Sequence, residues 1–194
     1  MNKNRLEAFS DGVIAIIITI MVLELKVPHG ASLDVLRPLL PVFLSYVLSF
    51  IYVGIYWSNH HHLLHTATRV TGAMLWANLH FMFWLSLFPW ATAWMGENEF
   101  AAIPSAVYGV VMLMAALSWT LLQAQIIRAQ GNHSLLKRAL GSDLKGRLSP
   151  LLYLGGIGLS FVRPGLGLLF YVGVALMWLV PDKRIERALE SEPK

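Results

Sequence analysis

The most constraining feature of this chain is a short apolar stretch near its start, bounded by acidic residues. Uncharged residues run only from Gly12 to Leu23, with Asp11 before them and Glu24 after them. A helical stretch of this length covers about 18 Å, whereas the hydrocarbon core of a bilayer is roughly 30 Å thick. Carboxylates within a membrane need polar partners or a water-filled path. We therefore expect an interior helix that is too short to span a bilayer alone, rather than a lipid-facing helix.

Composition places the whole chain in the membrane. Of its 194 residues, 56% are hydrophobic and 13% are charged, which is more apolar than an ordinary soluble domain. The chain leaves no room for a soluble catalytic domain of about 50 residues or more, so an enzyme is the weaker class. We predict an all-α, polytopic membrane protein with one domain over residues 1–194 and six apolar segments: 12–27, 38–57, 71–95, 101–127, 148–162 and 165–180.

The distribution of basic residues predicts the orientation in the membrane. If the N-terminus is inside, only Lys26, Arg37 and Arg163 of the 15 Lys and Arg residues fall on the outer side. The positive-inside rule then places both termini in the cytoplasm. The same distribution accounts for the pI of about 9.5 without a nucleic-acid partner, because basic loops face an anionic lipid leaflet.

The apolar stretch carries a stripe along one side of the predicted helix. Ile16, Thr19, Ile20 and Leu23 follow the i, i+3, i+4 and i+7 spacing of a single helical face. One interpretation is ordinary core packing. The other is that symmetry copies bring the stripe around an axis, where rings of aliphatic side chains gate ions by dewetting and Thr19 forms the single polar ring.

A polar motif precedes this stripe and also has two interpretations. Ser10 and Asp11 are typical of a helix N-cap with a carboxylate near the positive end of the helix. Alternatively, Asp11 accepts hydrogen bonds from the polar run at 57–62, which the predicted topology places on the same side of the membrane. Arg5 and Phe9, four residues apart on one helical face, would then brace that cluster.

A cluster of histidines raises the question of a metal site. The pair at positions 61 and 65 has ligand spacing, but the chain has no cysteine, no H-E-x-x-H pattern and only Asp11 as a plausible carboxylate partner. We assign no metal and no cofactor, and interpret His80 in the third segment as an interhelical hydrogen-bonding residue. A histidine-rich metal or redox protein and a proton-coupled transporter remain alternatives. The clustered histidines are His60, His61, His62 and His65.

The remaining motifs concern helix shape and packing. Pro89 removes a backbone hydrogen bond and is expected to kink or loosen the helix of the third segment. Small residues four apart predict close helix packing around Ser105 with Gly109, and around Gly156 with Ser160. No T-V-G-Y-G sequence is present, so no re-entrant pore loop of the conventional potassium-channel type is expected.

Three motifs together resemble a known family. They are Arg5-x-x-x-Phe9-Ser10-Asp11, then Trp57-x-Asn59-His60-His61, and Asn78-Leu79 followed by Leu87-x-Pro89-x-x-Thr92. This combination, over roughly the first half of the chain, resembles the bacterial relatives of the endolysosomal potassium channel called transmembrane protein 175. The chain departs from the family's usual Pro-Phe-Pro-Thr ending of the third helix by reading Pro89-Trp90-Ala91-Thr92.

The resemblance implies a passive cation channel of the bacterial inner membrane that modestly prefers potassium to sodium. Each six-helix subunit would contribute its first helix to the central pore of a homotetramer, with potassium as the permeant ion. Ile16 matches the family's constricting isoleucine and Thr19 its selectivity threonine, while Ile20 and Leu23 complete the hydrophobic wall. The motif residues would form the network that holds the pore helices, with either histidine taking part: Arg5, Phe9, Ser10, Asp11, Trp57, Asn59, His60 or His61, and Asn78.

Overall fold

The described residues form helices joined by turns and short loops, and none of them lies in a strand. The structure is a computed structural model that describes residues 2–131, 134–141 and 143–179. Short 3-10 turns at Val22–Glu24 and Leu33–Leu39 flank the connection between the first two helices. The α-helices are α1 (Lys3–Met21), α2 (Leu40–His65), α3 (Gly72–Ser86), α4 (Phe88–Glu97), α5 (Ala102–Gln130), α6 (Leu135–Leu140), α7 (Leu144–Val162) and α8 (Pro164–Leu179).

These helices confirm the predicted all-α class and the count of six long segments. Helices α3 and α4 form one segment that is interrupted at Leu87, and Pro89 lies in the first turn of α4. The expected loosening of the helix at this point is therefore confirmed, and it extends to a full interruption. The short helix α6 lies in the connector after α5. The last predicted segment corresponds to α8, although its end at Val180 lies outside the described residues. Within the described ranges, three helical segments are long and apolar enough to cross a membrane: Lys3–Glu24, Leu33–His65 and Ala102–Gln130.

The first helix differs from its prediction. It begins at Lys3, where the side chain of Asn2 accepts a hydrogen bond from the N–H group of Asn4 at 3.3 Å. Together with its 3-10 turn it is 22 residues long, so the expectation of a helix too short to span a membrane is wrong. The N-cap interpretation of Ser10 is also wrong, because Ser10 lies inside the helix. The polar first turns are helical because α2 supplies partners for their side chains.

The second helix is also longer than predicted, since it continues to His65. The clustered histidines therefore project from a helix, with His61 and His65 one turn apart. This extension brings the C-terminal end of α2 alongside the start of α1. Helix α1 also contacts α3 and α4.

Helix α5 organises the other side of the bundle, where it packs against α3, α4, α7 and α8. A Cβ atom added at Gly109 would lie 2.7 Å from Cγ1 of Ile157 and closer still to the hydroxyl of Tyr171. Helices α7 and α8 are joined only by Arg163 and pack so closely that a Cβ on Gly167 would lie 2.6 Å from the carbonyl oxygen of Gly156. The predicted small-residue packing is thus confirmed at Gly109 and Gly156.

Candidate functional site: the first helix and its polar contacts

Helix α1 has one buried face and one exposed face. The buried side chains recur every three or four residues and face the rest of the bundle: Leu6, Ser10, Ile14, Ile17 and Met21. The opposite face has no covering within the described chain. All four residues of the predicted stripe lie on it, with exposed fractions of 58% for Ile16, 43% for Ile20 and 77% for Leu23, and with Thr19 also exposed.

In the described part of the chain, three polar side chains of α1, one per helical turn, contact the antiparallel helix α2. Trp57 donates its indole N–H to Asp11 at 3.1 Å, and Nδ1 of His61 lies 2.7 Å from Oε1 of Glu7. One turn further on, Lys3 donates to the carbonyl oxygen of a residue at the end of α2, His65, at 3.1 Å. We call these three pairs the α1–α2 ladder. The ladder fixes both the register and the rotation of α1 against α2.

A second set of polar groups is fully buried between α1, α2 and α3. The Ser10 hydroxyl donates to the carbonyl oxygen of Leu6 at 2.9 Å and accepts from Nδ2 of Asn78 at 2.9 Å. The amide oxygen of Asn78 lies 2.8 Å from Nε2 of His60. Because Asn78 must present its nitrogen to Ser10, its oxygen faces His60, and Nε2 of His60 is therefore the protonated ring nitrogen. We call this set the buried polar chain.

The two histidines that the sequence left undecided therefore take different partners. His60 belongs to the buried polar chain and His61 to the ladder, whereas Asp11 is bonded by Trp57. The predicted contact between Asp11 and the 57–62 run is confirmed for Trp57. Asn59 is placed differently, because its amide donates to the carbonyl oxygen of Ile55 on its own helix at 2.8 Å.

Other predicted residues lie away from these contacts. Arg5 and Phe9 are on the exposed face of α1, in line with the stripe. His80 is exposed and accepts a hydrogen bond from Trp84 of its own helix at 3.0 Å, so its interpretation as an interhelical residue is wrong. The i, i+4 spacing of this pair satisfies the histidine locally without a second helix.

Sequence reasoning missed the role of Glu7. This residue lies one turn before Asp11 on the same face of α1, and its partner His61 lies one turn after Trp57 on α2. Matching spacings of four on two antiparallel helices were the available signal. They were not recognised because only Asp11 was considered as a carboxylate partner of the histidines.

A further buried polar cluster and an exposed ion pair lie toward the other end of the bundle. The hydroxyl of Ser49 on α2 lies 2.6 Å from that of Thr92 on α4 and 2.9 Å from that of Tyr108 on α5. Thr92 is thus the motif residue that ties the interrupted third segment to the core. Lys26 forms an ion pair with Glu97 at 2.6 Å, and the Glu97 hydrogen bond and charge raise the pKa of Lys26 above its usual 10.5.

The fold and the site define a class: an all-α, polytopic membrane protein whose first helix is fixed by polar contacts on one face and uncovered on the other. Comparison with known proteins gives the family. Residues 5–89 match the family model described as endosomal/lysosomal potassium channel TMEM175. A potassium channel from Chryseobacterium sp. (strain P1-3) is 57% identical over 98% of this chain and 100% of its own length. The chain belongs to the TMEM175 family.

Two more relatives support the same assignment over nearly the full length. A potassium channel from Streptomyces collinus is 33% identical, and the alignment covers 92% of each chain. The crystal structure of a lysosomal potassium-selective channel TMEM175 homolog from Chamaesiphon minutus matches with a TM-score of 0.74 and 26% identity. That match covers 93% of this chain and 97% of the homolog. The likeness therefore includes α5 to α8, where the sequence motifs offered no support.

Proposed function

We propose that this chain forms a potassium-permeable cation channel, in which the exposed stripe of α1 lines a central pore and ions pass without any catalytic step. The carrying observation is the one-sided exposure of α1: its inner face is locked by the ladder and the buried polar chain, while its outer face presents Ile16 and Leu23 uncovered. An uncovered apolar stripe on an otherwise fixed helix fits a surface that copies of the chain share. The names of the full-length relatives support potassium as the permeant ion.

The hydroxyl of Thr19 supports a coordinating role in that pore. Its hydrogen is directed to the carbonyl oxygens of Ala15 at 2.9 Å and Ile16 at 3.0 Å on its own helix. The oxygen lone pairs therefore remain available on the exposed face, where a ring of such oxygens replaces part of the hydration shell of a cation. Ile16, one turn before Thr19, provides the hydrophobic constriction.

Four copies related by rotation complete the pore in this proposal. The exposed stripe of α1 borders a shallow groove on α4 that is lined by Trp90 and Trp94, and Trp90 is 54% exposed. This groove is the surface against which α1 of a neighbouring subunit packs. Both termini face the cytoplasm in the inner membrane, because the basic residues concentrate on that side. A protein that is monomeric by native mass spectrometry would contradict the assembly.

Potassium flux into proteoliposomes tests the proposed pore. Ile16→Asn wets the constriction and is expected to raise the flux several-fold, whereas Thr19→Val removes the oxygen ring and is expected to lower the preference for potassium over sodium. Ile103→Asn is the matched control, since Ile103 is 60% exposed but lies on α5. Wild-type flux no higher than that of empty liposomes, or equal effects of Ile16→Asn and Ile103→Asn, would refute the pore assignment.

A further inference from the structure

The end of the α1–α2 ladder brings together three side chains of the types that bind transition metals. Glu7 of α1 lies between His61 and His65 of α2, with Oε1 at 2.7 Å from Nδ1 of His61 and 3.5 Å from Nε2 of His65. All three ligand atoms lie within 4.8 Å of one another. The carboxylate that the sequence suggested for this cluster was that of Asp11, but it accepts a hydrogen bond from the indole N–H of Trp57 instead.

We propose that Glu7, His61 and His65 form a binding site for a divalent transition metal ion of the zinc class. Tetrahedral zinc holds nitrogen and oxygen ligands at about 2.0–2.1 Å, which places neighbouring ligand atoms about 3.3 Å apart. The separation between Glu7 and His65 already fits that value. The shorter contact between Glu7 and His61 is a hydrogen bond that has to open by about 0.6 Å, within the reach of a side-chain rotation.

The donor set determines which ions the site takes. Two imidazole nitrogens and one carboxylate suit zinc, copper or nickel, whereas magnesium and calcium prefer all-oxygen sites. The side chains of His61 and His65 are 49% and 45% exposed, and that of Glu7 is 16% exposed. The ion therefore has an open path from solvent, and water fills the fourth coordination position.

One positive charge and one further histidine lie next to the proposed site. Lys3 lies at the same end of the ladder, but it donates to the backbone carbonyl of His65 and leaves the ring nitrogen free of that contact. His62 stands beside His61, with ring centroids 5.6 Å apart, and it is outside the set of converging ligand atoms. His62 is thus a neighbour of the same chemistry that the site does not use.

Metal binding would pin the cytoplasmic-side end of α1 to α2. The three ligands come from both helices, since Glu7 belongs to α1 and the two histidines are one turn apart on α2. A bound ion replaces the single hydrogen bond between Glu7 and His61 with coordination bonds to three side chains. The binding itself is measured without reference to ion conduction, so the proposal stands or falls separately from the proposed channel.

Zinc binding to the purified full chain tests the site. The protein carries no polyhistidine tag, is stripped with a chelator in detergent, and is titrated with zinc against a chromophoric indicator in the presence of excess magnesium. We expect one zinc ion per chain, and an affinity reduced by roughly 100-fold or more in Glu7→Gln and in His65→Gln, since even outer-sphere changes cost 10–100-fold. His62→Gln is the matched control and keeps the wild-type affinity.

Thermal unfolding of the same proteins separates a lost ligand from a misfolded variant. Zinc should raise the melting temperature of the wild type and of His62→Gln, but not that of Glu7→Gln or His65→Gln. The zinc-free variants should retain the wild-type helix content. Wild-type protein that binds no zinc, magnesium that displaces it, or equal loss of affinity in His62→Gln and His65→Gln would overturn the proposal.

Discussion

The buried polar chain should make Asn78 one of the most sensitive positions for stability. Replacing Asn78 with alanine leaves the Nε2–H donor of His60 buried without its partner and removes a bond that the Ser10 hydroxyl accepts. An orphaned buried donor costs about 1–3 kcal/mol and the lost second hydrogen bond about 1 kcal/mol. We therefore expect Asn78→Ala to lower the free energy of unfolding by about 2–4 kcal/mol.

A double-mutant cycle isolates the bond between Asn78 and Ser10. Interhelical hydrogen bonds in membrane proteins contribute about 0.6 kcal/mol on average and up to about 1.7 kcal/mol in such cycles. Ser10→Ala combined with Asn78→Ala should therefore cost less than the sum of the single changes by an amount in this range. The assay is reversible unfolding in mixed micelles, followed by helix content as the fraction of denaturing detergent rises.

Asn59→Ala is the matched control for this cycle. Asn59 is half-buried on α2, and its amide bonds only within its own helix among the contacts described, so its loss should cost less than about 1 kcal/mol. Two results would refute the reasoning: a cost of Asn78→Ala no greater than that of Asn59→Ala, or a coupling energy of zero between Ser10 and Asn78.

Two further predictions concern packing and the exposed ion pair. Gly109→Ala places a methyl group against Ile157 and Tyr171 and should lower the free energy of unfolding by about 1–3 kcal/mol. Gly54→Ala is the control and should not lower it, because a methyl group there has no neighbour within 4 Å. Unfolding of both variants in mixed micelles checks this prediction. Because its partner raises the pKa of Lys26, the pair stabilises the fold below the ordinary pKa of 10.5, and this contribution is lost as the pH rises through the raised value. The stability difference between wild type and Glu97→Gln should therefore vanish at strongly alkaline pH, and in high salt; a difference that persists in both would contradict the assignment.

Much of the fold could be predicted because membrane insertion depends on local properties. Apolar segment length predicted six long segments, and Pro89 indicated a loosened helix where α3 and α4 meet, since both follow from backbone hydrogen bonding in a medium without water. Helix ends were harder to predict. The first apolar segment is predicted from Gly12 onward, whereas α1 already begins at Lys3. Its polar first turns are capped by Asn2 and bonded by α2 and α3.

The candidate site was also predicted in part, where it depends on the sequence of a single helix. The stripe of Ile16 and Leu23 and the contact between Asp11 and Trp57 follow from helical periodicity and from the predicted topology. The pairing of Glu7 with His61 depends on the rotation of two helices about their own axes, which periodicity within one helix does not specify. His80 shows the opposite case, in which a local partner at i+4 replaced the expected long-range one.

The sequence by itself determined the class of protein, the number of long helices and the face of α1 that remains apolar, because these depend on composition and on spacing along one chain. The tertiary structure decided where α1 begins, which histidine meets which partner, and that Glu7, His61 and His65 converge. The physical reason is that buried and half-buried polar groups need partners, and those partners lie on other helices whose register is set only when the bundle packs.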